Sequence, residues 1–129
     1  MSKVLALFLF VISFAALTAE AGPKTIRVFQ DKSFPTDKSV IVYVEEFVQA
    51  KANCKIYFEK TFPDKADFLI AEETSTSQNA HVSVYEEKKI SANADVIAFE
   101  VKNPADADRR VYGTSDLILA AAACLYRVQ

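Results

Sequence analysis

The 129-residue sequence predicts a mainly β, single-domain fold of about eight short strands built on an internal repeat, and three observations carry that expectation. A six-residue phrase recurs at fixed spacing: Ala66-Asp67-Phe68-Leu69-Ile70-Ala71, Ala80-His81-Val82-Ser83-Val84-Tyr85 and Ala94-Asp95-Val96-Ile97-Ala98-Phe99 start 14 residues apart. The same spacing finds rows opening at Lys24, Lys38 and Ala52, and after a step of 13 another at Ala107. Within each row apolar and polar residues alternate, the period-2 signature of a half-buried strand rather than a helix. The composition, 51% hydrophobic and 25% charged, is that of a globular domain.

The elements follow in order. Lys3 precedes an apolar run over residues 4–12, extended through residues 14–17, and then Ala19-Glu20-Ala21, a small-x-small cleavage pattern. Residues 1–21 thus read as a secretory signal peptide, shorter than the roughly 20 apolar residues of a membrane anchor, and residues 22–129 as one β-repeat domain. Gly22-Pro23 leads into the first row.

Read as columns, the rows become strands. The third column (Ile26, Val40, Cys54, Phe68, Val82, Val96, then Arg109) and the fifth (Val28, Val42, Ile56, Ile70, Val84, Ala98, Val111) lie two residues apart and define the core face. The second column is polar: Thr25, Ser39, Asn53, Asp67, His81, Asp95, Asp108. The sixth holds an aromatic ring in six of seven rows, with Ala71 the exception, and most simply covers an edge or a second layer. Links of about seven residues join the rows. Each often opens on acid (Glu45-Glu46, Glu72-Glu73, Glu86-Glu87) and carries an apolar residue at constant offset (Phe34, Val48, Phe62, Ile90, Leu117), expected to tuck the link onto the strands. Pro35 and Pro63 mark turns. At the end, Thr114-Ser115-Asp116 caps a short helical turn near residues 116–121, and Leu125 and Tyr126 regain their columns, which predicts an eighth strand over residues 122–128.

Cys54 and Cys124 are the only cysteines, and in an oxidising compartment they are expected to pair. A net charge of −2 and a pI near 5.4 provide no basic field for nucleic acid or anionic lipid. One histidine, two distant cysteines and two glycines give no metal-ligand spacing and no phosphate loop, so neither a metal nor a cofactor is expected.

The Ala-Asp openings at Ala66-Asp67, Ala94-Asp95 and Ala107-Asp108, the apolar residues Phe68, Ile70, Val96 and Val111, and the closing rings Phe99 and Tyr112 resemble an uncharacterised family of small repeat proteins. That family is associated with a seven-crossing torus knot, the septoil knot. The resemblance spans residues 24–128 and implies a knotted path but no activity. Periodicity by itself is equally met by a β-solenoid or a barrel-like meander.

Candidate chemistry is sparse. His81 shares its column with Asp67 and Asp95 one row to either side, so in-register pairing of consecutive rows would build an Asp-His-Asp ladder, an acid-base relay or pH switch; the competing reading is a column of short polar residues at strand edges. Tyr43, Tyr57 and Tyr85 are the candidate binding anchors. The expectation is a secreted, stable, non-enzymatic binding or structural module with an extracellular protein or carbohydrate partner. The alternatives are an inhibitor or defence effector presenting Phe34-Pro35 or Phe62-Pro63, and a small hydrolase using His81.

Overall fold

A computed structural model describes residues 22–128; the segment read as a signal peptide lies outside them. Seven strands form: β1 (Lys24–Asp31), β2 (Val40–Val44), β3 (Cys54–Phe58), β4 (Phe68–Glu72), β5 (Val82–Glu86), β6 (Val96–Glu100) and β7 (Arg109–Tyr112). They close into a barrel in the order β1-β4-β7-β3-β6-β2-β5, and every pairing is parallel. Each successive strand therefore lands two places further round the barrel, and each link returns over the strand in between.

Hydrogen bonds at the link ends fix this path. The link of residues 73–81 joins β4 to β5, and its two ends are fastened to the intervening β1: Glu73 N–H donates to the Val28 carbonyl and His81 N–H to the Arg27 carbonyl, both at 2.8 Å. The remaining links repeat the pattern. Residues 45–53 straddle β6 through the Ala98 and Ile97 carbonyls, 59–67 straddle β7 through Val111 and Arg110, 87–95 straddle β2 through Val42 and Ile41, and 101–108 straddle β3 through Ile56 and Lys55. The first link, residues 31–39, crosses β5 and is instead closed on itself by a Ser39 hydroxyl donating to Asp31 Oδ2. Single 3-10 turns shape the middle of the other five: Gln49–Lys51, Pro63–Lys65, Ser77–Asn79, Ser91–Asn93 and Pro104–Asp106. Proline opens two of them, where its missing N–H costs nothing.

The third and fifth columns face the lumen as the alternation predicts. All seven fifth-column residues are buried, and Ile26, Cys54, Phe68 and Val96 join them from the third. The lumen is filled by the end of the chain. A short helix, α1 (Leu117–Ala120), continues as a 3-10 turn (Ala121–Leu125), and between them these two segments touch all seven strands. Asp116 caps α1 by accepting the Ile118 N–H at 2.9 Å on Oδ1. Ala120, Ala121, Ala122 and Ala123 are completely buried; alanine favours the helix and is small enough for the narrow lumen.

The expected eighth strand is thus a helical plug. A closed barrel has no free edge to accept another strand, and the alanine run favours helix over sheet. Arg109, the polar intruder in the third column, serves this plug: its Nε donates to the Ala123 and Tyr126 carbonyls at 3.1 Å, and Nη2 donates to Tyr126 at 2.6 Å, satisfying carbonyls that a helix end leaves open. Cys124 is disulfide-bonded to Cys54 on β3, with their Cα atoms 6.0 Å apart, so the plug is tied to the wall. Gly113 turns the chain inward from β7 with φ of +108°, and a Cβ there would lie 2.6 Å from the Ile70 carbonyl oxygen.

Candidate functional site: the outer layer and the barrel rims

The second column has one structural task. Besides donating its own N–H, each of five second-column residues accepts the N–H of the residue that lies between the two core columns of the straddled strand. Asn53 Oδ1 accepts from Ile97 (2.8 Å), Asp67 Oδ2 from Arg110 (2.7 Å), His81 Nδ1 from Arg27 (2.9 Å), Asp95 Oδ2 from Ile41 (2.9 Å) and Asp108 Oδ2 from Lys55 (2.8 Å). Aspartate, asparagine and histidine share an acceptor at the δ position, one bond beyond a hydroxyl. Thr25 and Ser39, whose oxygens sit at γ, form no such bond among the described residues.

This disposes of the ladder. Consecutive strands are not neighbours, so Asp67 is fastened to β7, His81 to β1 and Asp95 to β2. His81 uses Nδ1 as an acceptor, so that nitrogen carries no proton and the imidazole acts as a backbone clamp. Among the described residues no group of three histidine, cysteine, aspartate or glutamate side chains is placed to hold a metal ion, and both cysteines are in the disulfide.

The aromatic column lies on the outer face of the barrel wall. Phe29, Tyr43, Tyr57, Tyr85, Phe99 and Tyr112 are half-buried on the outside of the six strands that a link crosses. Over β1 the contact is direct: the turn Ser77–Asn79 lies against it, and Arg27 Nε donates to the Asn79 carbonyl at 2.9 Å. The exception explains itself. No described link crosses β4, and its sixth-column residue is the exposed Ala71.

Five of the links are fastened across their strands by hydrogen bonds at both ends and the first is closed on itself, and their apolar residues face outward. The expectation that Phe34, Val48, Phe62 and Ile90 tuck inward is corrected: all four are exposed, Phe34 at 69% and Ile90 at 54%, and Phe47 reaches 86%. Leu117 alone of that set packs against the core. The acids opening the links brace them instead. Glu45 Oε2 accepts the N–H groups of Phe47 and Val48 at 3.1 Å, and Glu87 Oε2 those of Lys89 and Ile90 at 3.2 and 3.3 Å. Glu73 Oε2 accepts the Ser75 hydroxyl at 2.5 Å and its N–H at 3.1 Å.

Shallow grooves open where strands end and links begin. One of about 460 Å³ lies between Gln30, Asp31 and Lys32 on one side and Tyr85 with the following Glu86, Glu87, Lys88 and Lys89 on the other. A second, of about 240 Å³, shares Glu86, Glu87 and Lys88 and is walled by Tyr43, Glu45 and Phe47. A third, of about 220 Å³, takes Tyr57 with Glu59 and Lys102. The three candidate tyrosines therefore stand at separate grooves of one rim, half-buried, with Tyr43 and Tyr85 flanking a shared wall. The signal that sequence reading missed is Phe47, which lies outside every repeated column.

The chain matches no family, no curated protein and no solved structure with which it was compared.

Proposed function

We propose that this protein is a secreted, non-enzymatic binding module whose partner, an extracellular protein, docks on the links that cross β5, β2 and β6. One observation carries the reading. Those three strands are consecutive in the barrel, so their links are neighbours, and they bear the exposed apolar residues Phe34, Ile90, Phe47 and Val48. Exposed aromatic and aliphatic side chains on braced loops lose little entropy on binding and suit an interface core, while Lys32, Lys88 and Lys89 supply a polar rim. Secretion is supported by the apolar leader pattern of residues 1–21 and by the Cys54–Cys124 bond. The five stapled links and the internal plug suit an environment rich in proteases, because cleavage needs locally unfolded chain.

The test uses the oxidised protein and a Phe34→Ser, Phe47→Ser, Ile90→Ser triple variant, whose sites are exposed and should leave the melting temperature unchanged. Wild-type protein immobilised against extracellular extract should retain a partner that the triple variant loses and a Tyr57→Ala variant keeps. Equal capture by all three proteins would reject this face. The inhibitor reading is favoured by Phe62, exposed at 50% immediately before Pro63; a Phe62→Ala variant that loses inhibition of a protease panel would select it. A knotted path, as the septoil resemblance implies, is supported by links that each straddle a strand distant in sequence; mechanical stretching from both ends should then leave the reduced chain short of its full contour length.

A further inference from the structure

The opposite rim of the barrel holds a different kind of surface, and we propose that its cleft binds a small aromatic anion. The cleft measures about 800 Å³ and is formed where the first residues of β1 and β4 meet the end of the described chain. That size lies within the few hundred to about 1,000 Å³ of small-molecule sites and exceeds each rim groove described above.

Its lining combines an apolar surface with cations that have no carboxylate partner among the described residues. Phe68 is buried at the base, and the Tyr126 ring packs on it at a centroid distance of 6.0 Å and a tilt of 50°. Lys24 Nζ stands 5.3 Å from the centroid of the Tyr126 ring, and Lys65 Nζ stands 4.8 Å from that of Phe62. Arg127 is the third cation of the lining. The one ion pair among the described residues is Lys102 with Glu100, on another part of the surface. Two acids also line the cleft, Asp64 and Asp67, the latter accepting the Arg110 N–H. In a chain of net charge −2, three cations against two aspartates leave the cleft lining one positive charge in excess, and the Tyr126 face holds Lys24 in place.

The ligand chemistry follows from that arrangement. A carboxylate or sulfonate would take charge-assisted hydrogen bonds from Lys24 and Arg127, while a planar apolar body lies against Tyr126 and Val128. A neutral analogue of the same shape keeps the stacking and forfeits the charge contacts. A cationic one is repelled.

The proposal is tested on the oxidised protein by amide NMR titration with naphthalene-2-carboxylate and, separately, with its neutral isostere naphthalene-2-methanol. Expected are saturable shifts at Ala66, Asp67, Phe68, Tyr126, Arg127 and Val128, with the alcohol about tenfold weaker or worse. Lys24 and Arg127 are both exposed, so a Lys24→Glu, Arg127→Glu variant should fold normally, keep its spectrum elsewhere, and bind the carboxylate about tenfold more weakly or worse. Shifts confined to the opposite rim, equal affinity for the alcohol, undiminished binding by the variant, or no shift at millimolar probe would each overturn it.

Discussion

Asp67 offers the sharpest test of the staple, because its carboxylate and its partner Arg110 are both half-buried and the bond is the shortest of the five at 2.7 Å. Asp67→Ala removes the acceptor and leaves the Arg110 N–H facing protein rather than water. A hydrogen bond to a charged acceptor contributes about 1.5–3 kcal/mol net, and partial solvent access places this one near 2 kcal/mol. At roughly 4–8 °C per kcal/mol for a domain of about this size, the thermal midpoint should fall by about 10 °C. Asp67→Asn keeps an oxygen at the δ position, as Asn53 does for Ile97, and should cost less than about 1 kcal/mol. Asp67→Ser is the decisive variant. Its oxygen is one bond too short, as at Thr25 and Ser39, so it should behave like alanine within about 0.5 kcal/mol. Urea unfolding of the oxidised proteins, followed by circular dichroism, measures all three. A serine variant as stable as wild type, or an asparagine variant as damaged as alanine, would refute the acceptor-position reasoning.

Four further outcomes are expected. Gly113→Ala meets both a positive φ of 108° and the Ile70 carbonyl oxygen 2.6 Å from the new Cβ, so it should lower stability by at least 1–3 kcal/mol, read from the urea midpoint. Cys54→Ala opens a link between residues 70 apart in sequence and should cost about 4 kcal/mol in the chain-entropy account, with no further loss on adding reductant. Ala121→Leu overfills a completely buried site in the lumen and should destabilise by about 1–3 kcal/mol; thermal melts check it. Hydrogen bonds from the Val48 and Phe47 N–H groups hold the Glu45 carboxyl below its ordinary 4.5, and the Ser75 hydroxyl and N–H do the same for Glu73. A depressed folded value means that the stabilisation is fully present above about pH 4.5 and is lost as the pH falls through the lower folded values; carboxyl NMR titration should show both midpoints lowered, and a Glu45→Gln, Glu73→Gln variant should lose less stability than wild type on that acidification.

The core was legible because strand alternation is local. Val28, Val42, Ile56, Ile70, Val84, Ala98 and Val111 needed no knowledge of their neighbours to be assigned inward. What stayed hidden was which strand lies beside which. The Asp67-His81-Asp95 ladder assumed that consecutive rows pair. Parallel neighbours joined directly require a crossover of a dozen or more residues. A seven-residue link reaches about 24 Å extended, ample to cross one strand and reach its far side, two strand spacings or about 10 Å away, and the ends of the five stapled links meet consecutive carbonyls of the crossed strands. Links this short therefore staple the strand they cross, and pairing falls on rows three and four apart. The same geometry reversed the assignment of the link residues. With five links held by hydrogen bonds to the strands they cross and the first closed on itself, Phe34, Val48, Phe62 and Ile90 are not needed to anchor them and face solvent.

Each departure from the repeat marks a place where the chain does something the repeat does not. Arg109 breaks the apolar third column where carbonyls at the end of the plug need donors. Ala122 breaks the polar second column in the one row that forms a helical turn instead of a strand. Ala71 breaks the aromatic sixth column on the strand left uncovered. These last two are one event. Continuing the two-place step beyond β7 would send a seventh link across β4 to a position already held by β1, so the chain turns inward at Gly113 instead and fills the lumen. β4 is the strand no described link crosses and carries Ala71 where the others carry a ring, and the alanines of the final row serve as packing in a space that β-branched residues would overfill.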